Sequence, residues 1–115
     1  MTNYQEITST AALEEILKRS SEQPVLFFKH SNSCGLSQRA FSEFERYLQS
    51  PESESVLNFL VVVQTAREVS RELERLLAVQ HESPQAILVR EGRAIWNDSH
   101  LALKSEKLKS AVSQP

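Results

Sequence analysis

The residue with the clearest capacity for covalent chemistry is the single cysteine of the chain, Cys34. It follows a continuous apolar run at 25–28 and a polar turn at 30–33, and it opens a segment whose apolar residues recur at helical spacing. The first backbone N–H groups of a helix have no internal partners, and the helix dipole favours negative charge there. We therefore predict that Cys34 is a reactive thiol whose pKa lies below that of a free cysteine.

The residues just after Cys34 are predicted to stabilise its thiolate. Ser37 lies three positions further on, so its hydroxyl can reach back across the same helical turn. The N–H groups around Gly35 and Leu36 belong to the unpaired first turn of the predicted helix, and they are the further candidates for this role.

Other interpretations of Cys34 remain open on the residues alone. A lone cysteine is most often an inert packing residue, although the polar residues 30–33 just before Cys34 favour an exposed thiol. Lys29 and His30 could add positive potential, but Lys29 is equally consistent with a strand-end side chain that points into solvent. A Cys-His pair with His30 or His81 is less favoured, because no carboxylate that would orient the imidazole is identifiable.

Composition excludes several kinds of site. One cysteine cannot form an intrachain disulfide, a zinc site built on several thiolates or a two-cysteine redox motif. Two glycines exclude a glycine-rich phosphate loop. The three histidines, at 30, 81 and 100, are not at ligand spacing, so we predict no metal site and no tightly bound cofactor.

Charge and hydropathy limit the partners and the compartment. The formal net charge is −2, which argues against nucleic acid and against an anionic membrane surface as the main partner. The N-terminus has no basic region ahead of an apolar stretch, and the longest wholly apolar run, 59–63, is far short of the ~20 residues of a membrane span. We expect a cytoplasmic protein with a reduced thiol.

The elements that must position Cys34 follow from periodicity. With 115 residues, of which 40% are hydrophobic and 24% charged, the chain is expected to form one globular domain over 1–115. Continuous apolar runs predict buried strands, and spacings of three and four residues predict amphipathic helices. The predicted strands are 25–28, 57–63, 86–89 and 94–96, with a weak first strand at 4–7; the predicted helices are 11–19, 34–49, one through 69–77 and one from Ser105.

The resulting order is (β)-α-β-α-β-α-β-β-α. Strands separated by helices imply parallel crossovers, whereas Glu91-Gly92 predicts a hairpin turn between the last two strands. One mixed sheet with helices on both faces satisfies this order. Ser83-Pro84 immediately precedes a buried strand, where a proline is either an ordinary strand start or a cis turn residue.

Two segments carry a resemblance to a known family. The segment 28–37 (FKHSNSCGLS) and the segment 81–88 (HESPQAIL) resemble the YtxJ family, the monothiol bacilliredoxin-like proteins of the bacillithiol system, which have a thioredoxin fold. The stretch 97–100 after Trp96 also fits, and the resemblance covers essentially the whole chain.

The resemblance implies a function and a site. Cys34 would take a low-molecular-weight thiol, bacillithiol or an analogue, from mixed disulfides of S-thiolated proteins, and a second small thiol would then resolve the adduct. Pro84 would be the cis-proline of the fold. The backbone of Ser83 would pair with the bound partner in extended form, and Ser33 would complete the substrate-binding residues. We expect a monomer or a weak dimer.

One residue departs from the family pattern, and other functions remain open. The family usually has proline directly after the cysteine, where this chain has Gly35, which loosens the turn but adds an N–H donor near the sulfur. One alternative function is a glutathione-linked or iron–sulfur-binding protein like the monothiol glutaredoxins. Another is a thioredoxin-fold module that senses redox state or binds a partner without turnover.

Overall fold

The computed structural model describes residues 3–33 and 35–114. Its elements follow the predicted order, including the weak first strand. The strands are β1 (Gln5–Glu6), β2 (Val25–His30), β3 (Leu57–Val62), β4 (Gln85–Arg90) and β5 (Arg93–Ser99). The helices are α1 (Thr10–Arg19), α2 (Gly35–Leu48), α3 (Arg67–Leu77) and α4 (Ser105–Val112), with 3₁₀ turns at Pro51–Ser55 and His100–Ala102.

The five strands form one mixed sheet in the order β1-β3-β2-β4-β5. β3 pairs in parallel with both β1 and β2, whereas β4 runs antiparallel to β2 and to β5. β2 is therefore the central strand. The predicted α/β class with a mixed sheet and flanking helices is confirmed.

Two core clusters lie on opposite faces of the sheet because successive side chains of a strand point to opposite faces. On one face, Phe28 of β2 stacks on Phe44 of α2 with ring centroids 4.5 Å apart, and α4 packs in the same cluster. On the other face, Phe27 and Phe59 stack at 6.0 Å beneath α1 and α3. The continuous apolar run of β2 thus reflects burial on both sides.

Element boundaries differ from the predictions in several places. β2 continues beyond the predicted 25–28 to His30, which was predicted to lie in the polar turn at 30–33, because its backbone pairs with Val62 of β3. The segment 50–55, which lies between the predicted helix 34–49 and the predicted strand 57–63, contains the 3₁₀ turn Pro51–Ser55. The last strand extends beyond the predicted 94–96 and pairs with β4 as far as Ser99. Its sequence hides this extension because it is an edge strand, whose backbone pairing does not require apolar side chains. None of the helices in the described ranges is long and apolar enough to cross a membrane.

The two glycines differ in backbone conformation, so the same substitution should have opposite effects on stability at the two positions. Gly92 has φ +74° in the β4–β5 turn, whereas Gly35 begins α2 with an ordinary φ and open space where a Cβ would lie. Gly35→Ala should raise the free energy of unfolding by about 0.5 kcal/mol, because alanine restricts the unfolded chain. Gly92→Ala should lower it by about 1 kcal/mol, because a side chain is strained at positive φ. Denaturant unfolding measures both changes, and equal effects at the two positions would contradict this account.

Candidate functional site

Three segments of the chain meet at one edge of the sheet. β2 and β3 are parallel, so both end there, and the antiparallel β4 begins there; Lys29 near the end of β2 is paired with Val61 of β3 and with Gln85 of β4. The loop after β2, the loop after β3 and the segment before β4 are therefore neighbours. Cys34 belongs to the first of these loops in sequence but lies outside the described residues.

The side-chain amide of Gln64, which follows β3, holds the loop residues 31–33 that precede Cys34. Its Oε1 accepts the Asn32 N–H at 3.1 Å, and its Nε2 donates to the hydroxyls of Ser31 at 2.7 Å and Ser33 at 3.1 Å. Ser33 is exposed, and its Oγ is also 3.3 Å from Ser31 Oγ. One side chain thus connects the β3 end to the residue before the cysteine.

The three residues predicted to stabilise a thiolate open α2. Gly35 and Leu36 are exposed, and Leu36 is the larger apolar surface of the two, with 38% of its area accessible. Ser37 is fully buried, and its Oγ accepts the Ser31 N–H at 3.2 Å. One lone pair of this hydroxyl therefore holds the loop in place, and its proton has no acceptor among residues 3–33 and 35–114.

The Ser83–Pro84 peptide bond is cis, as the resemblance implies. The carbonyl of Pro84 accepts the His100 N–H at 3.0 Å, which fixes this segment to the end of β5. Ser83 is half-buried, and its backbone N–H and carbonyl make no hydrogen bond within 3–33 and 35–114. An extended peptide laid against Ser83 would find both groups free.

Beneath this edge lies a buried lysine. Lys29 has 0% of its surface accessible, so the alternative in which it points into solvent is wrong. Its Nζ donates to the Ser70 carbonyl of α3 at 3.2 Å and lies 3.2 Å from His81 Nδ1. The backbone N–H of His81 donates to Glu74 Oε2 at 2.7 Å. This group of residues (Lys29, Ser70, Glu74 and His81), here called the lysine network, connects β2 and α3 to the segment before Pro84.

Burial sets the protonation of the lysine network. Desolvation lowers the pKa of Lys29 from 10.5 to about 8, and the negative charge of Glu74 offsets part of that effect. At neutral pH the ammonium group remains charged and donates to His81 Nδ1, which must then carry a lone pair. Burial, together with the positive charge of Lys29, lowers the pKa of His81, so its ring is neutral.

The other two histidines have separate surroundings. The His30 ring lies against Phe41 with centroids 5.1 Å apart, and burial lowers the pKa of His30. His100 lies in the exposed 3₁₀ turn after β5, with Nε2 3.6 Å from a Glu82 carboxylate oxygen. Within the part of the chain that the structure describes, no group of three or more His, Cys, Asp or Glu side chains is arranged to hold a metal ion.

Two clefts open on opposite sides of this edge. A cleft of about 250 Å³ on the α2 side is lined in part by the exposed apolar side chains of Leu36 and Leu101. A cleft of about 390 Å³ on the α3 side lies over the lysine network and is lined by Val63, Gln64, Arg67, Ser70, Arg71, Glu74 and His81. We call the second one the arginine cleft.

Neither the contacts of Gln64 with residues 31–33 nor the burial of Lys29 was predicted from the sequence. Gln64 carries no local signal, because its importance comes from long-range contacts with residues 31–33. Lys29 offered a weak signal, since it directly follows four apolar residues of a strand that is buried on both faces. His81 holds the segment before Pro84 in place through contacts with Ser70, Glu74 and Lys29.

The lowered pKa of Lys29 predicts a pH-dependent stability. Between pH 8 and 10.5 the unfolded chain holds this proton more tightly than the folded one, so the free energy of unfolding should rise with pH in that window. One pKa unit corresponds to about 1.4 kcal/mol, so the gain should be on the order of 3 kcal/mol relative to Lys29→Met.

This pH dependence is measured by denaturant unfolding in a Cys34→Ser background, which removes the titration of the thiol. Lys18→Met, at an exposed lysine of α1, is the matched control and should keep the rise. Parallel pH profiles for Lys29→Met and its parent would contradict the burial of a charged amine.

Comparison with solved structures identifies the fold. A protein with a thioredoxin fold superposes with a TM-score of 0.82 at 25% identity, over 97% of this chain and 95% of the other. The thioredoxin of Malassezia sympodialis superposes with a TM-score of 0.80 at 18% identity, over 99% and 91%. The thioredoxin of Fasciola hepatica does so at 0.74 and 16%, over 95% and 96%. The predicted thioredoxin fold is confirmed.

The family follows from the sequence match. Residues 5–108 match the family described as monothiol bacilliredoxin BrxC, which confirms the resemblance carried by the two motif segments. A thioredoxin fold with a single cysteine is consistent with thiol redox chemistry in which the second sulfur comes from another molecule. The chain is a thioredoxin-fold thiol oxidoreductase that belongs to the monothiol bacilliredoxin family.

Proposed function

We propose that this protein removes a low-molecular-weight thiol, bacillithiol or a close analogue, from mixed disulfides of proteins. One observation carries the proposal: the loop that contains the only cysteine and the cis Ser83–Pro84 segment lie at the same edge of the sheet. The first supplies a nucleophile and the second supplies free backbone groups for an extended substrate. Membership of the monothiol bacilliredoxin family supports the same chemistry.

The cycle needs one protein sulfur. The Cys34 thiolate attacks the small-thiol sulfur of a protein mixed disulfide, the S–S bond breaks, and the protein thiolate leaves and takes up a proton. Cys34 now carries the small thiol as a disulfide. A second small thiol, as its thiolate, attacks the sulfur of that adduct and regenerates Cys34. The net result is one reduced protein thiol and one small-thiol disulfide, so electrons balance without any bound cofactor.

Each neighbouring residue has a proposed part in this cycle. The N–H groups of Gly35 and Leu36 and the hydroxyl proton of Ser37 stabilise the thiolate at the start of α2. Ser33 and the backbone of Ser83 position the substrate, and Pro84 shapes the segment on which it lies. The partners would be S-thiolated proteins and the small thiol, with the protein acting in the cytoplasm as a monomer or weak dimer.

Loss of the thiol should abolish the activity. A protein carrying a bacillithiol mixed disulfide should be reduced by the wild type, and mass spectrometry of quenched reactions should find the small thiol on Cys34. Cys34→Ser should lose both the turnover and the adduct, because serine cannot form a disulfide. Gln38→Ala, an exposed position on α2, should behave as the wild type. Full activity in Cys34→Ser would overturn the proposal.

The pH dependence of alkylation tests thiolate stabilisation. The rate of Cys34 modification by iodoacetamide should rise with pH and level off with a midpoint below the free-cysteine value of about 8.5. Ser37→Ala should move the midpoint upward, because it removes a donor to the thiolate. A wild-type midpoint at or above about 8.5 would favour a sensing or binding module instead of an efficient oxidoreductase.

A further inference from the structure

The arginine cleft has the size and the charge of a small-anion site. Its volume of about 390 Å³ lies within the roughly 300–1,000 Å³ range of ligand pockets. Arg67 and Arg71 contribute two guanidinium groups from the same side of α3, since residues four apart on a helix are neighbours with about 5–6 Å between their Cβ atoms. Such a spacing suits two carboxylates of one molecule.

The two guanidinium groups are available for a ligand. Both residues are exposed, and neither has a carboxylate oxygen within 4.0 Å in the described ranges 3–33 and 35–114. Arg75, on the same helix, shows the contrast, because it is held by Glu72 at 2.8 Å.

The one carboxylate that lines the arginine cleft is already engaged. Glu74 Oε2 accepts a hydrogen bond from the backbone N–H of His81, and the charge of Glu74 acts on the buried ammonium of Lys29. Together with the two arginines, these charges leave the cleft positive.

The arginine cleft is also connected to the loop that precedes Cys34. Gln64 lines the cleft, and the same side chain donates a hydrogen bond to Ser33 Oγ, one residue before Cys34. His81 also lines the cleft, and in sequence it lies two residues before Ser83 of the proposed substrate segment. A molecule seated here would therefore lie next to Gln64, which contacts Ser33, and next to His81, which precedes the Ser83 segment.

We propose that the arginine cleft binds the carboxylates of the low-molecular-weight thiol, with Arg67 and Arg71 as specificity-determining residues. Guanidinium groups bind carboxylates through paired, charge-assisted hydrogen bonds, and this makes a thiol with two carboxylates the preferred ligand over a neutral or cationic one. The inference rests on the proposed function and names the feature by which the small thiol is recognised.

The test compares two small thiols on one protein substrate. A single-cysteine protein is capped either with bacillithiol, which carries two carboxylates, or with cysteamine, which carries none, and kcat/KM is measured for each. The double variant Arg67→Gln/Arg71→Gln should lose roughly 10-fold or more on the bacillithiol cap, at unchanged activity on the cysteamine cap. Arg93→Gln, an exposed arginine at the opposite end of the sheet, is the matched control and should change neither.

A binding measurement separates this inference from the proposed function. Calorimetric titration of Cys34→Ser with bacillithiol disulfide reports recognition without turnover, and the two arginine substitutions should weaken that binding by a similar factor. If the wild type reduces neither capped protein, the proposed function fails while the titration still decides the binding site. Equal effects of the double variant on both caps, or undiminished binding of the disulfide, would overturn the assignment of the arginine cleft.

Discussion

The placement of β2 between a parallel and an antiparallel neighbour is the constraint on which the site depends. Because β3 runs with β2 and β4 runs against it, two strand ends and one strand start fall on the same edge. Segments distant in sequence, around residues 33, 64 and 83, are thereby brought together without any long insertion. The apolar side chains of β2, buried on both faces, hold this arrangement, since they belong to both core clusters.

A charged side chain in that central strand links the elements that meet at this edge. Lys29 directly follows four apolar residues of β2, and its ammonium is tolerated because the Ser70 carbonyl and His81 Nδ1 accept two of its N–H groups and the charge of Glu74 partly offsets its own. Buried polar groups of this kind are stable only when each finds its partner, so the lysine network fixes where α3 sits relative to the segment before Pro84. The same α3 lines the arginine cleft, and the buried lysine thus supports both sides of the proposed small-thiol site.

The two clefts beside this edge differ in the surface that they present. The α2 side offers exposed apolar surface at Leu36 and Leu101, whereas the α3 side offers two guanidinium groups with no carboxylate partner among residues 3–33 and 35–114. A mixed disulfide also has two unlike halves, one a polypeptide and the other a small polar thiol. At this edge the backbone N–H and carbonyl of Ser83 make no hydrogen bond within 3–33 and 35–114, and a positive cleft lies nearby. These two features match the two halves of such a substrate.

The sequence by itself determined the element order, the mixed sheet, the single cysteine and the family. These depend on local periodicity, on a count of one cysteine and on two short segments around Cys34 and Pro84, all of which are read along the chain. Only the tertiary structure decided that Lys29 is buried, that Gln64 holds residues 31–33, and that Arg67 and Arg71 share a cleft with His81. Those facts depend on contacts between residues far apart in sequence, and no local pattern of polar residues specifies which of them will face one another.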